Sequence, residues 1–196
     1  MLQAMVAAAE RVFEFLEQPE EIETAKGEID TSKIKGNVEF KHVNFGYDED
    51  KTIINDFSAN IKEGQKIAIV GPTGAGKTTM VKLLMRFYDV NSGEINVDGH
   101  NIKDFKRGEL RKMFGMVLQD TWLFGGTVKE NIKYGNEEAT DGEVIEAAKA
   151  AHVHHFIKTL PKGYNSILNE ESSNVSAGQK QLLTIARVIL ANPKIL

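Results

Sequence analysis

Residues 71–79, Gly71-Pro72-Thr73-Gly74-Ala75-Gly76-Lys77-Thr78-Thr79, match the pattern G-x-x-x-x-G-K-[ST]. They follow a short apolar run, residues 66–70 (KIAIV), and precede a helical pattern carried by Met80, Val81, Leu83 and Leu84. Glycines let the backbone curl so that successive N–H groups face inward around a phosphate, and the helix N-terminus behind them adds partial positive charge at the same point. Lys77 can then reach terminal phosphates, and the Thr78 hydroxyl can sit on Mg²⁺. Motif, spacing and flanking elements agree. A bare Gly-rich turn is therefore set aside, and the stretch predicts a nucleoside triphosphate site.

Two other places can meet that ligand. Gln119 ends an apolar run over 114–119, where a side-chain amide can coordinate Mg²⁺ or position an attacking water. Ser176 and Gln179 stand three apart at the head of a helical pattern that runs to Ala191. That is a capping box, and it leaves other first-turn N–H groups free for an anion. His152 and His155 share a helical face near His154, but no carboxylate stands at matching spacing, so a metal reading is set aside. Trp122 reads as packing.

Positioning these groups requires a mixed α/β framework. Leu2, Met5, Val6, Ala9, Val12, Phe13 and Leu16 fall at helical spacing before Pro19, and a polar, acidic stretch extends from Pro19 to Lys35. Val38 and Phe40, then Val43 and Phe45, predict a strand; Phe57, Ala59 and Ile61 alternate in another. Residues 66–70 read as a strand covered on both faces, and 114–119 as a further strand. Asp98-Gly99 turns a small hairpin within 91–102, and Thr140 with Glu143 caps a helix to about His152.

The 196 residues suffice for one domain with a sizeable core. The net charge of -4 gives no case for a nucleic-acid partner, and the absence of Cys removes disulfides and thiolate metal sites. No run of about 18 apolar residues exists.

The motifs in this order resemble the nucleotide-binding domain of ATP-binding cassette (ABC) transporters, over nearly everything from Gly36 to Leu196. Residues 71–79 match that family's Walker A motif and Gln119 its Q-loop. Residues 175–179 (VSAGQ) match its LSGGQ signature, with Val175 for Leu and Ala177 for the first Gly. Tyr47 stands where the family's aromatic stacks on adenine. Residues 119–132 and 154–181 look like the exporter branch of multidrug or lipid type, with Glu170 at the place of the X-loop acid that faces transmembrane loops.

The resemblance implies an α/β P-loop NTPase fold: an ABC-type core sheet with an antiparallel β subdomain and an α-helical signature subdomain, incomplete at the C-terminus. It implies ATP and Mg²⁺ as ligands, with Lys77 and Gln119 in catalysis and Thr78 and Gln119 on the metal. Two such domains meet head to tail, as a homodimer or heterodimer, so that Ser176, Ala177, Gly178 and Gln179 of one copy close over the ATP held by the other. The implied setting is the cytoplasmic face of a cell membrane, beside transmembrane partners met through the Gln119 and Glu170 regions.

Asn192-Pro193 then breaks the last helix, and Lys194-Ile195-Leu196 opens a new strand. In the family that strand carries the Walker B Asp and the catalytic Glu, which are not among these residues. The expectation is an ATPase in the intact dimer and an inactive isolated chain; the alternative is a nucleotide-gated module that does not hydrolyse. DNA-repair ABC proteins are set aside, because no heptads separate Lys77 from Ser176. Residues 1–18 read either as a local cap or as the cytoplasmic end of the last membrane helix, 19–35 as a linker, and 36–196 as the nucleotide-binding domain. Ala177 fits either a weakened site or simple tolerance.

Overall fold

The computed structural model describes residues 2–18, 20–21, 23–25, 27–48, 50–118, 121–168 and 175–196, with side chains of the first helix from Met5 onward. Gln119 and Glu170 lie outside the described residues. The first helix, α1 (Leu2–Leu16), forms where the apolar spacing places it. From Met5 to Leu16 its side chains are exposed.

An antiparallel sheet forms the first half, in the order β2 (Ile54–Ile61), β1 (Val38–Phe45), β3 (Ser92–Val97), β4 (His100–Asn101). Val38 and Phe40 are buried, and so are Val43 and Phe45, although strict alternation would put the second pair on the opposite face. A bulge resolves this: the β1–β2 register shifts between Phe40 and Val43, where His42 takes φ 47°, and the extra residue returns Val43 to the core. Asp98 (φ 47°) and Gly99 (φ 81°) are both left-handed, as the two-residue turn joining β3 to β4 requires. Under the sheet lie α2 (Lys77–Leu84) and α3 (Arg107–Lys112), which add Met80, Leu83 and Leu110 to a core with Phe40, Val43, Ile95 and Val97.

The second half is helical. A two-stranded ribbon, β5 (Gly126–Thr127) with β6 (Ile167–Leu168), accompanies α4 (Val128–Lys133), α5 (Asp141–Ala150), α6 (His154–Thr159) and α7 (Ala177–Ala191). Its own core joins Val128, Ile132, Val144, Ile157, Leu168 and Leu183, with Ala148 and Ala186 fully buried. Thr140 caps α5 and Ser176 caps α7 through complete capping boxes, and Asn192 ends α7 in the left-handed conformation ahead of Pro193. The antiparallel sheet and the helical group match the β and α-helical subdomains that the resemblance implies.

The stretches between these halves differ from the sequence expectation. Residues 66–70 and 115–118 take no regular secondary structure, and Ile67, Ile69, Val70 and Leu118 are exposed rather than covered, Val70 at 87%. Both runs contribute to the lining of a cleft of about 750 Å³, together with Lys77 and Thr78. A strand is defined by a neighbour about 4.8 Å away, and an apolar run cannot supply that neighbour itself. One pairing is present: Phe114 bridges Ile195 in parallel, with Gly115 N–H donating to Ile195 O at 2.7 Å and Ile195 N–H to Met113 O at 3.0 Å.

The described residues between 20 and 35 are strapped to the sheet half. Arg86, at 0% exposure, is the hub: Nε donates to Asp89 (3.0 Å), Nη2 to Thr24 Oγ1 (2.6 Å), and Nη1 to the carbonyls of Lys103 and Phe105 (3.4 Å each). A buried guanidinium is tolerated only with such pairing. Glu21 bridges Arg107 (3.1 Å) and Arg111 (2.9 Å), and Lys106 bridges Glu28 (2.8 Å). The Asp98 carboxylate accepts from the N–H groups of Lys35 (2.7 Å) and Gly36 (2.8 Å) and from the Asn37 side chain, closing the entry to β1.

Candidate nucleotide site

The loop from Gly71 to Gly76 passes from the 66–70 run into α2 through two left-handed residues, Gly74 (φ 85°) and Gly76 (φ 84°). An Ala75 N–H to Pro72 O bond (3.2 Å) closes a turn around Thr73 and Gly74. Gly76 is buried, and a Cβ there would stand 3.0 Å from Ile53 Cγ2. Gly76 is also the N-cap of α2, and no side chain caps it. The first-turn N–H groups of Lys77, Thr78 and Thr79 therefore lack the partner that Ser176 and Thr140 give α7 and α5, and with the helix dipole they form an anion seat.

Lys77 folds back over this seat. Its Nζ donates to Gly71 O and Pro72 O, both at 2.8 Å, using two of its three donors. A phosphate oxygen entering the loop meets the ammonium already in place, so binding reorients the group rather than recruiting it from solvent. The Thr78 side chain is exposed and lines the cleft with Lys77. A hydroxyl oxygen there suits a hard cation such as Mg²⁺, which would supply charge neutralisation at the site.

Tyr47 lies over the next turn of α2. Its hydroxyl hydrogen-bonds Thr79 Oγ1 at 3.3 Å, and Thr79 is itself buried. The ring is 44% exposed, which leaves apolar surface for a planar base. At the other motif, Ser176 and Gln179 satisfy one another: Gln179 N–H donates to Ser176 Oγ at 3.3 Å and Ser176 N–H to Gln179 Oε1 at 2.8 Å. Ala177 and Gly178 are exposed at the helix end, and nothing lies within 4 Å of a Cβ built on Gly178. Val175 is buried in the helical core.

The structure thus brings Tyr47, Gly71–Thr79 and the cleft together. It does not bring residues 175–179 to them: none lines the cleft of Lys77 and Thr78, and no hydrogen bond joins the described residues of the two motifs. Among the histidines, His154 Nδ1 pairs with the Tyr164 hydroxyl at 2.7 Å, an internal contact of the helical half.

Sequence reasoning missed one constellation beside the site. Arg187 on α7 donates from Nε to Asn131 O (2.8 Å), from Nη2 to Asn131 Oδ1 (3.2 Å) and from Nη1 to Trp122 O (3.3 Å). Asn131, 1% exposed, holds Phe124 through both its N–H and its carbonyl. Burial lowers the Arg187 pKa, a cost that these acceptors offset. The pair ties the signature helix to the segment after Gln119. The signal available in sequence was a lone charge inside the apolar run of α7.

Known proteins resemble this chain in sequence and in fold. The chain is 52% identical over 195 residues to a "Fatty acid ABC transporter ATP-binding/permease protein" of Mycobacterium bovis, covering 100% of the chain and 31% of the relative. It is 46% identical over 192 residues to a "Putative multidrug export ATP-binding/permease protein" of Bacillus subtilis, covering 97% of the chain and 33% of the relative. The chain therefore spans about a third of the length of these curated relatives. A solved bacterial Atm1-family ABC exporter with ATP bound superposes with a TM-score of 0.82 at 38% identity, covering 97% of this chain and 34% of that one. The family model described as ABC transporter matches residues 54–196, and the chain belongs to that family.

Proposed function

We propose that this chain binds MgATP at Gly71–Thr79 and that, in an intact head-to-tail dimer, hydrolysis there powers export across a membrane. The observation that carries the reading is the uncapped start of α2 with the Lys77 ammonium folded over it. Tyr47 stacks on the base, the N–H groups of residues 74–78 and Lys77 hold the phosphates, and Thr78 with Gln119 serves Mg²⁺. Ser176, Ala177, Gly178 and Gln179 of the second copy supply the roof. The separation of the two motifs within one chain supports that arrangement. Relatives named for fatty acid transport and multidrug export support export as the work done. Residues 1–18 serve as the cytoplasmic end of a membrane helix, and the Gln119 and Glu170 regions face the transmembrane part.

The 196-residue chain by itself is read as binding without turning over. Among the described residues no carboxylate lines the cleft of Lys77 and Thr78. Lack of a general base costs on the order of 10²–10⁴-fold in rate. A phosphate-release assay comparing this chain with the intact protein tests both parts: turnover in the intact protein and none in the chain is expected. Equal turnover in the two contradicts the assignment of the missing base, and none in either favours a nucleotide-gated module.

A further inference from the structure

Tyr47 is held on three sides. Its ring meets Tyr88 at 5.0 Å between centroids with planes at 80°, and Phe45 at 5.1 Å and 84°, both edge contacts. Tyr88 in turn leans on Phe45 at 5.8 Å. Lys82 Nζ stands 5.9 Å from the Tyr47 centroid and 6.0 Å from that of Tyr88, so one ammonium is shared by both rings. The Tyr47 hydroxyl reaches Thr79, which lies on α2 with Lys82.

A tyrosine near a strand end turns freely about its terminal torsion unless neighbours restrict it. Stacking requires one ring face to be presented to the base, and a ring that must first stop turning binds more weakly than one already fixed. T-shaped contacts with Phe45 and Tyr88 limit how far the Tyr47 ring can turn. We propose that Tyr88 is a positioning residue for the nucleobase: it fixes the tilt of Tyr47 and, with Lys82, joins the base platform to the phosphate helix. The inference rests on Tyr47 being that platform.

The test separates base from phosphate. The intact protein is titrated calorimetrically with MgATP and with magnesium tripolyphosphate, which has the phosphates and no base. Tyr88→Leu weakens MgATP by about 3- to 10-fold, the worth of an aromatic edge contact, and leaves tripolyphosphate within about twofold. Tyr88→Phe keeps the ring and stays near the parent for both ligands. Tyr88→Leu combined with Tyr47→Ala is no weaker than Tyr47→Ala alone, because the seat matters only while its occupant is present. Should the leucine variant fail to fold, Tyr88→Met, which refills the space flexibly, carries the same expectation.

Equal weakening toward both ligands makes Tyr88 merely structural and overturns the proposal. So does unchanged MgATP affinity in Tyr88→Leu while Tyr47→Ala loses it, and in that case the site reading stands. If Tyr47→Ala itself leaves MgATP unchanged, the platform reading fails and the proposal fails with it.

Discussion

Three glycine-to-alanine substitutions should move stability in three different ways. At Gly74, φ is +85° and an added Cβ meets nothing within 4 Å, so the cost is conformational alone. A non-glycine residue in the left-handed region costs about 1–2 kcal/mol. At Gly76, φ is +84° and the Cβ stands 3.0 Å from Ile53 Cγ2 and 3.6 Å from Ile53 O, beside the buried Ile54. Crowding adds about 1–3 kcal/mol there, for a total of about 2–5 kcal/mol. At Gly108, inside α3, φ is not positive and nothing lies within 4 Å, so alanine should stabilise by about 0.4–1 kcal/mol through the unfolded chain. Urea denaturation of the three variants in parallel measures all three signs. The order Gly108→Ala above parent, then Gly74→Ala, then Gly76→Ala supports the loop geometry. Equal losses at 74 and 76, or no loss at either, would refute it, since the two positions share a backbone conformation and differ only in what surrounds them.

Other outcomes follow from the strap and the signature helix. Arg86→Met should lower stability by about 2–4 kcal/mol, because it removes four hydrogen bonds and leaves the Thr24 and Asp89 contacts unmade; a change under 0.5 kcal/mol in a denaturant titration contradicts the hub. Burial alone would raise the Asp98 pKa, but the Asn37 side chain and the N–H groups of Gly36, Lys35 and Asn37 outweigh it and lower it below the ordinary value of 3.8. A carboxylate with a lowered folded pKa contributes stability above its unfolded pKa and loses it as pH falls through the folded value. Asp98→Asn should therefore flatten the acid side of the stability curve below about pH 4, and an unchanged acid limb counts against the hook. Ala177→Gly raises ATPase in the intact dimer if the alanine methyl crowds the roof; an unchanged rate leaves Ala177 as simple tolerance.

What could be read in the sequence was mostly local. The capping boxes of Thr140–Glu143 and Ser176–Gln179 are formed by residues three apart, so their spacing specifies the contact itself. The β1 bulge falls where the apolar alternation breaks between Phe40 and Val43, a break that the sequence reading does not interpret as a bulge. The turn into α2 at residues 71–79 was legible because its glycines set the local backbone and Lys77 meets carbonyls only five and six residues away. The runs at 66–70 and 114–118 show the limit: β pairing is non-local, and an apolar run does not name its neighbour. Arg86 meets Thr24 across 62 residues and Arg187 meets Asn131 across 56. Nothing in the local pattern around either arginine announces its partner. Tyr88 is hidden for the same reason, since its contact with Tyr47 depends on how β1 and the end of α2 meet.

Titration of the intact protein with MgATP, beside Lys77→Ala, tests the phosphate seat most directly. The seat predicts a single saturable site in the parent, and loss of at least tenfold in affinity when the ammonium that bridges Gly71 O and Pro72 O is removed. Equal affinity in parent and variant, or no heat from either at millimolar nucleotide, contradicts it.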